Sequence, residues 1–178
     1  YLRLAANPYY VEHRLPSKSL QARVGANPSL WDTLGYVHAA YTTLLQIPAS
    51  LEPTTVSIMS RVNTLFNWVE ANAVGDQWYA HVSAAVRLWV TYDGEFRQAP
   101  PAQLVNLLAS PRQLRTHQDI ASHAPSAALT MQVSVSAGSG TTISVYESIE
   151  LVATTPNGHA YLDGIFSWEP LAVQLREG

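Results

Sequence analysis

The sequence contains no cysteine at any of its 178 positions. This absence excludes disulfide bonds, thiolate nucleophiles and sulfur-based zinc sites, and it leaves the redox compartment open. Basic residues are also few, because a single lysine, Lys18, accompanies nine arginines and the formal net charge is −3. Binding to nucleic acid needs clustered cations that neutralise phosphates. Direct nucleic-acid binding is therefore not expected.

Charged residues of either sign make up only 13% of the chain, while 47% of it is hydrophobic. Ordinary soluble domains carry about 25% charged residues. The low value indicates that part of the surface contacts other subunits instead of water. The alternative is a monomer whose surface is built from Ser, Thr, Asn and Gln. No run reaches the roughly 20 apolar residues of a membrane span, so no membrane partner is expected.

The first 26 residues show no sustained hydrophobic period and are interrupted by Asn7-Pro8 and Leu15-Pro16. Such a segment predicts an extended N-terminal arm over residues 1–26. Its apolar content is too high for a solvated tail, so the arm is expected to pack on its own domain or on a neighbouring subunit. The remaining residues, 27–178, are predicted to form one α+β domain.

Three apolar stretches with spacings of three and four predict about three main helices within residues 27–124, the helical front of the domain. The first begins at Asn27-Pro28, a favourable cap and first turn, and ends before Pro48. The second begins near Thr54, and the third follows Gly75. Residues 86–92 could instead form a strand, because their β-propensity is high. A short helical segment is also predicted over residues 102–109.

The pattern changes near residue 125, and residues 127–176 are predicted to be β-rich. Apolar and polar residues alternate over 127–135, which is typical of a strand with one buried face. Gly138-Ser139-Gly140 then predicts a hairpin turn into a second long strand. The predicted strands after that turn are 141–154, 160–168 and 171–175. The result is a small antiparallel sheet of three to four strands behind the helices.

No catalytic, phosphate-binding or dinucleotide-binding motif occurs, so neither enzymatic activity nor a cofactor is predicted. The closest group of metal-ligand types is His117, Asp119 and His123. Its spacing places the ligands on different sides of a helix, which favours a polar loop over a metal site. Glu147 and Glu150 interrupt an apolar strand and are expected on its wet face or at a bulge.

Aromatic residues are numerous for so few charges, with five Trp and nine Tyr. Tyr, Trp and Arg are the residue types that anchor protein interfaces, although most of these aromatic side chains are expected in the core. Four aromatic residues are candidates for a subunit interface: Tyr9, Tyr10, Phe166 and Trp168.

The whole chain resembles coat or surface proteins of non-enveloped RNA viruses in its composition. It lacks cysteine, is poor in lysine, is rich in Ala, Ser, Thr, Val and Pro, and combines an extended arm with Pro-punctuated helices and hairpin strands. The resemblance implies a capsid subunit or a processed surface component of a capsid, which assembles in the virion by repeated symmetric contacts with copies of itself and other capsid subunits. The resemblance assigns no functional role to any residue of this chain.

Two features depart from that resemblance. The arm is not basic, which fits an outer-surface role or the coat of a double-stranded RNA particle better than genome packaging, and the eight-strand jelly-roll pattern is absent. Two alternatives remain open. One is a small α+β binding or accessory module from a bacterium, without catalytic activity. The other is an enzyme whose carboxylate or histidine site has no recognisable motif.

Overall fold

The computed structural model describes residues 10–14, 17–30, 32–138 and 140–178. Along most of these residues, buried and exposed side chains alternate. This alternation is the pattern of β-strands with one face in a core. The strands in chain order are β1 Tyr10–Arg14, β2 Ser19–Ala26, β3 Leu34–Ile47, β4 Thr54–Ala73, β5 Ala80–Tyr92, β6 Glu95–Gln98, β7 Ala102–Ala109, β8 Leu114–Thr116, β9 Ser126–Val135, β10 Thr141–Thr154, β11 Gly158–Trp168 and β12 Ala172–Glu177.

The strands form two antiparallel sheets. The first sheet has seven strands in the order β1-β2-β11-β4-β12, and β8 and β9 pair with the other edge of β4. The second sheet has five strands in the order β3-β10-β5-β6, and β7 pairs with β5 beside β6. The 20-residue strand β4 is therefore the centre of the first sheet, and β10 and β5 are the centre of the second.

The two sheets pack face to face as a β-sandwich, with β2 and β11 against β10 and with β4 against β5. Their inner faces supply a single apolar core. Fully buried examples from both sheets include Leu20, Ile58, Leu88, Ile149 and Leu162. At one corner β2 and β3 approach so closely that a Cβ on Gly35 would lie 2.3 Å from the carbonyl oxygen of Gly25. That contact requires glycine at position 35.

The predicted α+β class is wrong, because the region 27–124 is built from strands. Within the described residues the one helical element is a 3-10 turn, His117–Asp119. The residues of the second predicted helix show why. Ile58, Val62 and Phe66 recur every four residues, and a spacing of four fits one face of a strand as well as one face of a helix.

The residues that were predicted to start the first helix, at Asn27, form a turn instead. Asn27 accepts a hydrogen bond from the Ser29 backbone N–H at 3.0 Å, and its carbonyl accepts one from Leu30 at 3.0 Å. These are the bonds of a cap, but they close a turn and β3 follows. The strand alternative for residues 86–92 is confirmed, as the end of β5. The predicted short helix over 102–109 is wrong, because those residues form β7.

The four strands predicted in the C-terminal region are confirmed as β9, β10, β11 and β12. Their predicted arrangement as one small sheet is wrong, since β10 belongs to the second sheet and the other three belong to the first. The turn near Gly138 therefore joins two sheets, and it does not close a hairpin between β9 and β10. A strand pattern defines a strand's faces, but the partner depends on the whole chain.

Part of the predicted arm lies in the first sheet. Residues 1–9 are outside the described residues, β1 pairs with β2, and β2 pairs with β11. Leu20, Ala22 and Val24 of β2 are fully buried, so this segment packs on the core of its own chain. No helix in the described part of the chain is long and apolar enough to span a membrane.

Candidate functional site

The outer face of the second sheet is the candidate functional surface, and we name it the apolar face. Strand register fixes its members, because Tyr36 lies opposite Val152, Val152 lies opposite Ser83, and alternate residues then share the same side of the sheet. The face consists of alternate residues of β3 from Leu34 to Gln46, of β10 from Thr142 to Thr154 and of β5 from His81 to Thr91, with Phe96 and Leu108 at the far edge.

Large apolar side chains of this face are open to solvent. The most exposed is Leu44, at 62% of its surface. The others above half exposure are Leu34 56%, Tyr36 52%, Phe96 56% and Leu108 53%. They come from β3, β6 and β7, so the exposed apolar groups flank both edges of the sheet. A folded chain normally leaves such residues scattered, and a shared face indicates a contact surface.

Aromatic rings cross the middle of the apolar face. The imidazole of His38 stacks on the indole of Trp89 with centroids 5.7 Å apart. Trp89 in turn meets the ring of Phe96 edge-on at 5.4 Å. Three strands, β3, β5 and β6, thus present one connected row of rings. Rings held against each other in this way lose little further freedom when a partner covers them.

Charge on the apolar face is limited to one ion pair among its described strand positions, Arg87 with Glu150 at 3.4 Å. The other oxygen of Glu150 accepts a hydrogen bond from the Tyr36 hydroxyl at 3.1 Å. Burial first, and then the hydrogen bond and the charge of Glu150, raise the pKa of Tyr36 above its ordinary value. The cation and the carboxylate cancel, so the face has no net charge.

The outer face of the first sheet, which we name the polar face, also exposes apolar side chains, Leu114 57%, Leu65 49% and Met59 40%, but it carries more charged groups. Its residues include Ser126, Thr130, Gln132 and Ser134 of β9, all exposed. Ion pairs cross it, namely Arg23–Asp163 at 3.3 Å and Arg61–Glu169 at 3.9 Å, and the Glu70 carboxylate contacts the ring of His159. Its charged groups find their partners within the chain.

A buried polar cluster lies between the sheets, away from both outer faces. The Glu147 carboxylate is fully buried and accepts hydrogen bonds from the ammonium of Lys18 and from the hydroxyl of Ser60. The expectation for Glu150 is confirmed, since it lies on the outer face. For Glu147 it is wrong, because this side chain points inward opposite Leu88. The single lysine of the chain serves as its counter-ion.

The four candidate interface residues have different positions. Tyr9 lies outside the described residues, and Tyr10, in β1, is 37% exposed. Phe166 is fully buried against Phe66, and Trp168 is 5% exposed beside Tyr41. The chain itself covers Phe166 and Trp168, so a surface contact would have to use other side chains.

The histidine group near the 3-10 turn makes contacts within its own segment. His123 contacts the backbone carbonyl of His117 at 2.7 Å through its ring nitrogen, and the Asp119 carboxylate accepts from the Thr116 backbone N–H at 2.8 Å. These contacts cap and close the turn. Among the described residues no group of three or more His, Asp or Glu side chains is placed to hold a metal.

The alternation that defines the apolar face is visible in the sequence of β3. Leu34, Tyr36, His38, Ala40, Thr42 and Leu44 take every second position, and none is charged. The helical interpretation of this stretch divided the same residues between two sides. Period-two alternation was therefore the signal that could have identified the face.

Comparisons with known proteins give few likenesses. No family model matches the sequence, and no curated protein matches it. Two solved structures of infectious bursal disease virus align weakly. The Gt strain structure is 12% identical, with a TM-score of 0.25, over 94% of this chain and 43% of that chain. The Gx strain structure is 11% identical, with a TM-score of 0.25, over 91% of this chain and 42% of that chain. The chain spans about two fifths of those chains. A TM-score of 0.25 carries no argument about fold or function.

Proposed function

We propose that this chain is a structural protein that self-assembles through repeated symmetric contacts, as a capsid subunit or a processed surface component of a capsid in a virion. The observation that carries the proposal is the apolar face, where five large apolar side chains are each more than half exposed on one sheet. Burying them in a contact between copies would remove this surface from water.

The size of the face fits a protein interface. Three strands of 13 or 14 residues, β3, β10 and β5, lie beside a fourth row formed by β6 and β7, with 4 and 8 residues. Rows about 4.8 Å apart, at about 3.3 Å per residue, give a face of roughly 800 Å². A stable protein–protein contact buries about 800 Å² on each partner. One sheet of this chain therefore offers sufficient area without a contribution from the loops.

The neutrality of the face supports a second copy of the chain as its partner. A chain with a formal net charge of −3 repels its own copies through its charged surfaces. The apolar face carries one internally paired cation and carboxylate, Arg87 and Glu150, so two such faces can meet without like charges opposed. A polyanionic partner would instead need a surplus of cations. Copies of this chain, alone or with other capsid subunits, are the partners we propose.

Light scattering on a sizing column, over a concentration series, tests the proposal. The expected result is a mass that is a multiple of the 19.5 kDa chain and rises with concentration to a closed ring or particle. A mass of 19.5 kDa at every concentration would contradict self-assembly. Electron microscopy of the heaviest fraction then separates closed particles, which support the capsid role, from unspecific aggregates.

A further inference from the structure

Among the described strands, β3 is an edge of the second sheet. It pairs with β10 along all 14 residues, from Leu34 opposite Thr154 to Ile47 opposite Thr141, without a register shift. No strand in the described part of the chain pairs with its other edge. An edge of this kind presents a row of backbone N–H and C=O groups that can receive another strand.

Other sheet edges of the described chain carry features that discourage strand addition. Charged residues stand at three of them, Glu12 in β1, Glu95 and Arg97 in β6, and Arg176 and Glu177 in β12. β7 is interrupted by a bulge opposite Ala84 and Ala85. Charges and bulges are the usual protection of edges.

β3 has none of these features, since it contains no charged residue, no proline and no bulge. The edge strand β9 is also uncharged, but its exposed side chains are small or polar and it has 10 residues against 14. Of the edges that the structure describes, β3 is thus the longest unprotected one, and its exposed side chains belong to the apolar face.

The sequence of β3 is complementary to itself. When two copies pair antiparallel about a twofold axis at Ala40, Tyr36 of one copy lies opposite Leu44 of the other. His38 then lies opposite Thr42, and Ala40 meets Ala40. Aromatic–aliphatic cross-strand pairs are stabilising, and no charges are opposed in this register. A register centred one residue earlier would place Tyr36 opposite the polar Thr42.

We propose that β3 is a twofold contact, where a second copy of this chain adds its own β3 so that two five-stranded sheets become one. The inference rests on the proposed function, because it names one contact through which copies associate. The apolar faces of the two copies become continuous across the axis, with Tyr36 and Leu44 filling the seam. The added strand supplies backbone hydrogen bonds along the middle of β3, around Ala40.

The absence of cysteine makes a direct test possible. Ala40→Cys places two thiols opposite each other at the axis, within reach of a disulfide or a short thiol-to-thiol cross-linker. Ala128→Cys is the matched control, since Ala128 is an exposed alanine on β9, the other uncharged edge. Under mild oxidation A40C is expected to give a cross-linked dimer in about tenfold excess over A128C.

Register is tested by mixing two single-cysteine proteins. Tyr36→Cys with Leu44→Cys is expected to give mixed dimers, and Tyr36→Cys with Thr42→Cys is not. In an A40C background, Thr42→Lys adds the charge that natural edges use and is expected to abolish the cross-link. A cross-link that persists in the A40C protein carrying Thr42→Lys would contradict strand addition at this edge. Circular dichroism of each variant confirms that it is folded.

Light scattering on the unmodified protein separates failure of this inference from failure of the proposed function. An oligomer without the A40C cross-link, or with an A128C cross-link instead, would overturn the β3 contact and leave self-assembly standing. A filament built from β3 against β9 would do the same. A monomer at every concentration, with no cross-link, would overturn both proposals.

Discussion

The two outer faces of the sandwich differ although the same kind of sheet carries them. On the polar face, Arg23 pairs with Asp163 and Arg61 pairs with Glu169, so the charged groups are satisfied by their own chain. On the apolar face, Leu44 and Phe96 are more than half exposed to solvent. The inner faces must fit each other to fold, while the outer faces are free to differ. The difference therefore underlies our proposal that copies associate through the apolar face.

The largest expected difference between the two faces comes from placing one charge on each of them and measuring self-association. Leu44→Glu on the apolar face is expected to weaken self-association about 1,000-fold, or about 4 kcal/mol, because the carboxylate would be buried without a partner. Leu65→Glu on the polar face is the matched control, since Leu65 is 49% exposed. It is expected to leave association unchanged.

Sedimentation equilibrium of both variants measures the dissociation constants. Urea unfolding shows whether the monomers remain equally stable, with differences of about 0.5 kcal/mol expected for surface positions. Equal loss of association in the two variants would mean that the apolar face is not the contact.

A second comparison concerns stability, and it uses one carboxylate from each face. Asp163 is 1% exposed and accepts hydrogen bonds from Arg23 at 3.3 Å and from Gln21 at 3.2 Å. Asp163→Asn leaves a largely buried guanidinium without its counter-ion, so a loss of about 3 kcal/mol in unfolding free energy is expected.

Glu150→Gln is the corresponding change on the apolar face. Arg87 and Glu150 side chains are each 25% exposed, and solvent compensates for a lost partner, so a loss of about 1 kcal/mol or less is expected. Urea unfolding at a protein concentration where the chain is monomeric measures both values. Similar losses in the two variants would show that the faces do not differ in how they hold their charges.

The dependence of self-association on salt concentration also separates the two faces. Contact through the apolar face is expected to change less than about threefold between 0.1 M and 1 M sodium chloride, because screening acts on exposed charges and this face has one closed ion pair. Sedimentation equilibrium at the two salt concentrations measures the change. A loss of tenfold or more would assign the contact to the charged groups of the polar face.

The sequence predicts the strands of this fold better than their partners. Residues 129–135 alternate without interruption, and the strand predicted over 127–135 is confirmed as part of β9, because polar and apolar residues there separate cleanly by period. In β3 and β4 both faces carry apolar residues, so spacings of three and four arise together with spacings of two. Strand pairing depends on residues far apart, such as Glu147 opposite Tyr41 and Leu88, and local patterns do not contain that information.

Low charge and abundant aromatic residues predict a subunit interface, and that prediction stays open. The residues selected for it include Phe166 and Trp168, which the core covers. An aromatic residue has the same preference for a core as for an interface, so only its position in the fold separates the two. The exposed members, such as Leu44 and Tyr36, became recognisable once strand register was known.

Tyr36 offers the finest probe of the apolar face. Partial burial and the neighbouring Glu150 raise the pKa of its hydroxyl above the ordinary value of 10.0. Glu150→Gln removes the hydrogen-bonded carboxylate charge but not the burial. The pKa of Tyr36 is therefore expected to fall toward the ordinary value without reaching it. Ultraviolet titration of tyrosinate, corrected by subtracting the Tyr36→Phe variant, measures the change.

The same titration reports on assembly and on stability. Because the folded-state pKa of Tyr36 is raised, its contribution to stability is present below the unfolded value of 10.0 and is lost as pH rises through the folded value. When copies associate, their contact covers Tyr36 more completely, and burial raises its pKa further. The pKa should thus increase with protein concentration. A Tyr36 titration that is independent of concentration, in a protein whose mass shows association, would place the contact away from the apolar face.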